Sequence, residues 1–287
     1  MVAEKRVAEE VGGCKNERRF LMEIRQLENK KEENKLSFII KDTTPAYANS
    51  LRRFMLEEVP VMAIEDIEFR KNSSILYDEI IGHRLGLIPL TTDLKSYNLP
   101  ENCKCEGKGC ARCQLSLTLK TKEAGIVYAS QIKSKDPAIV PVFPKMPIVK
   151  LLKGQSLELE AKACLGQGKV HTKWSPGLIY YKQRPIIEIN DSKIKDPGKV
   201  VEMCPKNVFE IKNDKLVVVK DSILDCHLCE ACSDLVGKDA IKVSPSNDFI
   251  FYVESWGQLN CKQLVLEAIK LFNEQLGEFV SKIKELK

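Results

Sequence analysis

The sequence predicts an α+β fold in which the two ends of the chain form a strand-and-helix framework around a β-rich middle. Three observations predict it. An early pair of strands leads into a helix bounded by prolines; the middle breaks into short apolar runs separated by Pro, Gly, Asn and Ser; and the end of the chain holds a long apolar period of helical spacing.

Residues 20–25 and 36–40 read as the strands of a hairpin joined by a charged turn over 28–34. Thr43, Thr44 and Pro45 supply an N-cap and a proline at the first helical position. Ala46, Ala48, Leu51, Phe54 and Met55 follow at helical spacing until Pro60, so a helix is expected over 45–58. Through 61–89 short apolar runs alternate with turn residues such as Asn72, Ser73, Ser74 and Gly86, the pattern of strands and brief helices. Strands are expected over 115–119 and 126–129. Pro137, Pro141, Pro144 and Pro147 then make the chain extended or irregular. Gly166, Gly168, Trp174, Pro176 and Gly177 mark another loop-rich crossing before a strand at 186–189.

Residues 191–245 differ in kind: short strands over 208–211, 216–219 and 241–243 surround a dense set of cysteines, which reads as an inserted small domain. A strand resumes at 249–254. From Gln258 onward Cys261, Leu264, Val265, Ala268, Ile269, Phe272, Leu276, Phe279, Val280, Ile283 and Leu286 recur at helical period, predicting a long closing helix.

Composition narrows the class of protein. The 287 residues can bury a core without staples, and the 44% apolar and 30% charged fractions are those of a globular chain. No apolar run reaches the length of a membrane span, and residues 1–18 lack the apolar centre of a signal peptide, so a mobile tail on a cytoplasmic protein is expected. A net charge of +5 is too modest to announce a phosphate-neutralising surface, so no direct sequence-specific nucleic-acid binding is expected. The 11 cysteines fit a disulfide framework or thiolate ligands; their odd number, the missing signal peptide and the chain length favour ligands. Cys164 and Cys261 read as core or helix cysteines, and Cys14 belongs to the tail.

Cys226, Cys229 and Cys232 form C-x2-C-x2-C, and Cys204 is followed by Pro205. In two-cluster ferredoxins each such run sends its fourth cysteine to the other cluster, so one cluster takes a C-P cysteine from one run and three from the other. This chain keeps one complete set. The same spacing places the second cluster's ligands at Ile194, Pro197, Val200 and Val236, none of them cysteine. One [4Fe-4S] cluster is therefore expected on Cys204, Cys226, Cys229 and Cys232. A zinc site on the same sulfurs is the alternative, less suited because zinc knuckles come as separated C-x2-C pairs. His227, between two of the cysteines, reads as solvent-facing or as a neighbour supporting the ligands rather than as a ligand itself.

Cys103, Cys105, Cys110 and Cys113 follow C-x-C-x4-C-x2-C, with Gly107 and Gly109 permitting a tight turn. Four sulfurs so close in sequence can close a tetrahedron around zinc, whereas four exposed free thiols would be open to oxidation. One zinc is expected here. Lys104, Lys108 and Arg112 read as a solvated face offsetting the tetrathiolate charge.

The stretch LRRFMLEEVPVMAIEDIEFRKNSSILYDEIIGHRLGLIPL, from Leu51 to Leu90, closely resembles the alpha-like subunits of the archaeal RNA polymerases, the counterparts of the amino-terminal domain of the bacterial alpha subunit. GKVHTKWSP and FIFYVESWGQL extend the resemblance over nearly all of the chain from residue 19. It implies a discontinuous alpha-subunit-like dimerisation domain (19–58 and 249–287), a large inserted β-rich domain (59–190) with a zinc loop at 103–113, and a ferredoxin-like iron-sulfur domain (191–248). It also implies a non-catalytic assembly subunit that pairs with subunit L and carries subunits N and P and the large catalytic subunits. Leu51 and Phe54 on the first helix and Val265, Phe272, Phe279 and Ile283 on the closing helix are the expected partner interface.

An electron-transfer subunit of an oxidoreductase is the main rival, since a one-cluster ferredoxin fold suits that work. No dinucleotide fingerprint, P-loop or H-E-x-x-H motif accompanies it. Asp78, Glu79 and His83 lie close in sequence, but with Arg84 they suit a salt-bridge network as well as an active site. A zinc-dependent DNA reader would need a recognition helix after the 103–113 loop, and none follows. Arg52 and Arg53 fit contacts to a partner subunit better.

Overall fold

The computed structural model describes residues 22–220 and 222–286; the expected tail, Cys14 and the first residues of the opening strand lie outside them. The chain opens with β1 (Ile24–Lys30) and β2 (Lys35–Ile40), paired antiparallel. The first strand thus runs further than expected, and the turn contracts to 31–34, closed by Asn34 in the left-handed region at φ 52°. Every residue of β1 is exposed, as in an edge strand, with Ile24 and Leu27 bare among charged and polar neighbours.

Helix α1 (Pro45–Arg53) starts as its sequence dictates: the Thr44 hydroxyl accepts from the Tyr47 N–H, and Pro45 occupies the first turn. The expected 45–58 span is helical throughout, but its last turn, Phe54–Glu58, widens into a π-turn closed by Val59 N–H to Phe54 O at 3.2 Å. Such a widened turn is invisible to a 3.6-residue period.

The middle of the chain supplies β3 (Val61–Asn72), α2 (Asp78–Gly86), β4 (Leu115–Thr121), β5 (Gly125–Tyr128), β6 (Lys133–Ser134), β7 (Pro147–Leu151) and β8 (Leu157–Gly166). Strands β3, β8, β4 and β6 form one sheet in that order, and β5 pairs with β7. Met62, Ile64, Ile81, Leu117 and Leu159 meet in a core of their own.

Then follow β9 (Gly177–Ile189), α3 (Pro197–Met203), β10 (Phe209–Lys212), β11 (Lys215–Val218), α4 (Ala231–Val236), β12 (Ile241–Ser255) and α5 (Cys261–Glu285). Strands β1, β2, β12 and β9 form the first sheet in that order. Its inner face carries α1 and α5 over Phe38, Leu51, Met55, Phe249, Phe251 and Leu264. Phe38 and Phe251 face each other in register with stacked rings 5.1 Å apart, worth about 0.5–1.5 kcal/mol beyond their burial.

Two expectations are corrected by β9 and β12. The segments 241–243 and 249–254 belong to one strand, which crosses the expected boundary at 248; its pairing with β9 is interrupted only between Pro245 and Phe249. Proline is tolerated there because the ladder is already irregular. Likewise Gly177 to Ile189 is one strand of the first sheet, where a loop-rich crossing and a short strand at 186–189 were expected. Gly177 is part of the reason: a Cβ there would stand 2.2 Å from the Glu254 carbonyl oxygen, so the glycine permits close pairing where it reads as a breaker.

Beyond the Pro245 irregularity, the ends of β9 and β12 join α3, the β10–β11 hairpin and α4 around Val200, Val208, Phe209, Leu216 and Ile241. Ile194, Val200 and Val236, three of the four positions where a second cluster's ligands would stand, contribute apolar side chains to this core. Among the described residues no helix is long and apolar enough to cross a membrane.

Candidate metal centres and partner face

The loop between α2 and β4 brings Cys103, Cys105, Cys110 and Cys113 together, with all four sulfurs within 4.8 Å of one another. Glu106, Gly107 and Gly109 turn the chain through the left-handed region at φ 54°, 78° and 89°. The opposed pairs Cys103–Cys110 and Cys105–Cys113 lie 3.5 and 3.4 Å apart, and Cys110–Cys113 lie 3.8 Å apart. A disulfide needs about 2.0 Å; a tetrahedron with Zn–S bonds of about 2.3 Å has edges of about 3.8 Å. The four sulfurs therefore fit one tetrahedral ion.

The loop's electrostatics point the same way. The Cys110 N–H donates to Cys113 Sγ at 3.2 Å. Hydrogen bonds from the Cys113 and Cys103 thiols lower the Cys105 thiol to about 6, whereas burial pushes Cys113 up to about 12. Cys105 is thus ready to act as a thiolate, whereas Cys113 needs a cation to release its proton. Lys104, Lys108 and Arg112 are exposed around the loop, as expected of a solvated face.

The second set is arranged differently. Cys204 follows α3, and its Sγ accepts from the Val208 N–H at 3.5 Å. Leu228 and Glu230, both left-handed at φ 59° and 58°, curl the 226–230 loop back toward it. Cys204, Cys226, Cys229 and Cys232 line one cavity with Phe209 and Val243. Among the described residues only the 103–113 sulfurs converge as if on a single ion. Four thiols lining one cavity leave this set a candidate metal centre. Burial raises the thiols of Cys226 and Cys232, so both need a cationic centre to become thiolates. His227 is exposed.

The expected partner face divides. Leu51 is only 1% exposed, packed in the chain's own core, where it also lines the groove between β1, β2 and α5. Phe54, Val265 and Phe272 are half-buried, with the Phe54 and Phe272 rings 4.7 Å apart. Phe279 and Ile283 are 60% and 50% exposed, together with Leu276, Val280 and Leu286. Sequence reasoning missed a groove of about 420 Å³ between β1, β2 and α5, lined by Ile24, Leu36, Phe38, Tyr47, Val265 and Leu266. Its signal was present in Leu266, which widens the apolar arc of α5 beyond one face.

Asp78 accepts from Asn72 Nδ2 at 2.7 Å, and Arg84 donates to the Pro147 carbonyl at 2.8 Å, so these side chains tie α2 to its neighbours.

Residues 66–180 match the family model for the RNA polymerase Rpb3/RpoA insert domain. DNA-directed RNA polymerase subunit Rpo3 of Methanosphaera stadtmanae is 38% identical over 273 residues, covering 92% of this chain and 98% of the relative. The Rpo3 subunits of Archaeoglobus fulgidus (37% over 268 residues, 93% and 100% covered) and Pyrococcus furiosus (35% over 265 residues, 92% and 98% covered) are also similar. The similarity spans about nine-tenths of the chain, more than an inserted module alone would produce. The chain belongs to the Rpo3 family of archaeal DNA-directed RNA polymerase subunits.

Proposed function

We propose that this chain is a non-catalytic assembly subunit of an archaeal DNA-dependent RNA polymerase. It pairs with a smaller subunit, L, and the pair forms the platform for subunits N and P and the large catalytic subunits in the cytoplasm. The observation that carries the reading is the second half of α5: Leu276, Phe279, Val280 and Ile283 are bare although the first half of the same helix closes a complete core. An apolar helix face of this extent, adjoining the groove beside β1, fits a partner subunit. The dimerisation module then consists of the first sheet, α1 and α5, with 59–176 as one insert and 190–240 as the other.

Within this reading Cys103, Cys105, Cys110 and Cys113 hold a structural zinc. Cys204, Cys226, Cys229 and Cys232 hold a [4Fe-4S] cluster in a ferredoxin-like insert. The order of elements supports the latter: the end of β9, α3, β10, β11, α4 and the start of β12 follow the β-α-β-β-α-β plan. When bound, the cluster would supply a redox-sensitive link between the two ends of the insert. The chain's own residues exclude water from the cavity through Phe209 and Val243 and present the four sulfurs.

Co-expression with subunit L followed by size exclusion tests the pairing. A one-to-one complex with the wild-type chain, lost with Phe279→Glu, supports it. Separate elution of the two wild-type subunits would refute it.

A further inference from the structure

Three bare hydrophobic residues from distant parts of the chain surround one cavity of about 240 Å³. Leu87 after α2, Phe143 before β7 and Trp256 after β12 are 48%, 45% and 41% exposed. Backbone hydrogen bonds tie the walls together. The Val142 N–H donates to the Pro89 carbonyl at 2.9 Å, the Trp256 N–H to the Pro176 carbonyl at 3.0 Å, and the Thr92 N–H to the Gln258 carbonyl at 3.0 Å. Gly257 turns through φ 91°, and a Cβ there would stand 2.4 Å from Val142, so glycine lets the Trp256 turn close on the Phe143 segment. The cavity is therefore formed before anything enters it.

The lining selects the chemistry of the occupant. Lys173 is the one charged residue among those lining the cavity, and it is already engaged. Its Nζ donates to the Ile64 carbonyl at 3.0 Å and to the Glu65 carboxylate, and lies over the Trp174 ring. Gln258 borders the cavity and is only 4% exposed, yet its Oε1 is buried without a hydrogen-bond partner among the described residues. A buried acceptor without a donor is costly, and the torsion that turns the amide is soft, so the oxygen can meet a donor brought into the cavity. An occupant with an apolar body and a neutral N–H is a peptide segment. The volume suits one large side chain and falls below the roughly 300–1,000 Å³ of pockets for drug-sized ligands.

We propose that this cavity receives one large apolar side chain, with its adjoining peptide N–H at Gln258, from a segment of a polymerase subunit other than L. The inference rests on the assembly reading. The cavity shares no lining residue with the groove between β1, β2 and α5, so a second partner can dock while that groove is filled. Its walls come from both the middle of the chain and the turn before α5, so the docked segment bridges the insert and the dimerisation module.

The experiment compares the tagged full-length chain, paired with subunit L, as wild type, Phe143→Glu and Gln258→Met for recovery of the remaining polymerase subunits. Phe143→Glu changes an exposed residue away from the groove, and is expected to keep pairing with L while recovering the other subunits about tenfold less. Gln258→Met keeps the length of the side chain and removes the amide. Its heterodimer is expected to melt no lower than wild type, because an unpartnered buried group is lost, while recovery falls. In assembled polymerase, a photo-reactive benzoylphenylalanine in place of Phe143 is expected to cross-link to one segment of a subunit other than L. Full recovery with Phe143→Glu, a lower melt with full recovery for Gln258→Met, or a cross-link to L or to the chain's own residues 1–21 overturns the inference while the assembly reading stands. A wild-type chain that recovers no polymerase overturns both.

Discussion

Phe54 in the π-turn after α1 and Phe272 in α5 lie with ring centroids 4.7 Å apart at 56°, and Tyr47 adds a third ring 6.0 Å from Phe272. This aromatic contact is where the opening and closing segments of the chain meet across the inner face of the first sheet. It divides α5 into a half that serves the chain's own fold and a half left bare.

The division separates two kinds of substitution. Phe272→Ala removes a half-buried ring from an internal contact and should lower unfolding stability by about 2 kcal/mol, read as a shift of the denaturation midpoint. Phe279→Glu changes an exposed residue and should leave stability within about 0.5 kcal/mol while abolishing pairing with subunit L. Equal losses of stability in both variants would show that α5 is not divided in this way.

Two glycines should respond oppositely to alanine. At Gly177 the added Cβ meets the Glu254 carbonyl oxygen at 2.2 Å, and backbone cannot yield as a side chain can. Gly177→Ala should cost about 1–3 kcal/mol by overpacking. Gly277 lies in α5 with open space where a Cβ would go. Gly277→Ala should add up to about 1 kcal/mol through helix propensity. Chemical denaturation of the two variants checks both signs.

These glycines also show what sequence could reveal. The closing helix was legible because its apolar period runs almost unbroken, and the 103–113 loop because four cysteines and two glycines specify one turn. The extent of β9 and β12 was not, since Gly177 and Pro245 read as breakers when taken singly; only the partner strand shows that one permits close pairing and the other sits at an irregularity. The burial of Leu51 was not legible, because a periodic pattern reports an apolar face without saying how far the chain's own core covers it; Leu51 is packed in that core and also lines the groove beside β1.

The 103–113 loop should hold about one zinc per chain, lost on changing Cys110 and Cys113 to serine, with metal analysis as the measure. Protons compete for the sulfurs, so acidification should release the metal. Melting of the rest of the chain should change little, because among the four cysteines only Cys103 and Cys113 are buried. Metal-free wild-type protein would contradict the assignment.

Cys229→Ser should prevent cluster binding and loosen the insert as far as the irregularity between Pro245 and Phe249. Hydrogen exchange should then quicken over 241–245 while 249–255 keeps its protection against β2 and β9. Pairing with subunit L should persist, and docking of the large subunits should weaken. Uniform protection along β12 in the variant would show that the cluster does not hold the insert folded.

The most direct test of the assembly role is recovery of polymerase on a tagged copy of this chain expressed in the cells that make it, with the wild-type chain compared against Phe279→Glu and Ile283→Glu. The expected result is that the wild type brings down subunit L and the large catalytic subunits in stoichiometric amounts, while each variant accumulates as a folded chain that recovers neither. Recovery of complete polymerase on both variants, or of a redox enzyme rather than polymerase on the wild type, would contradict the account.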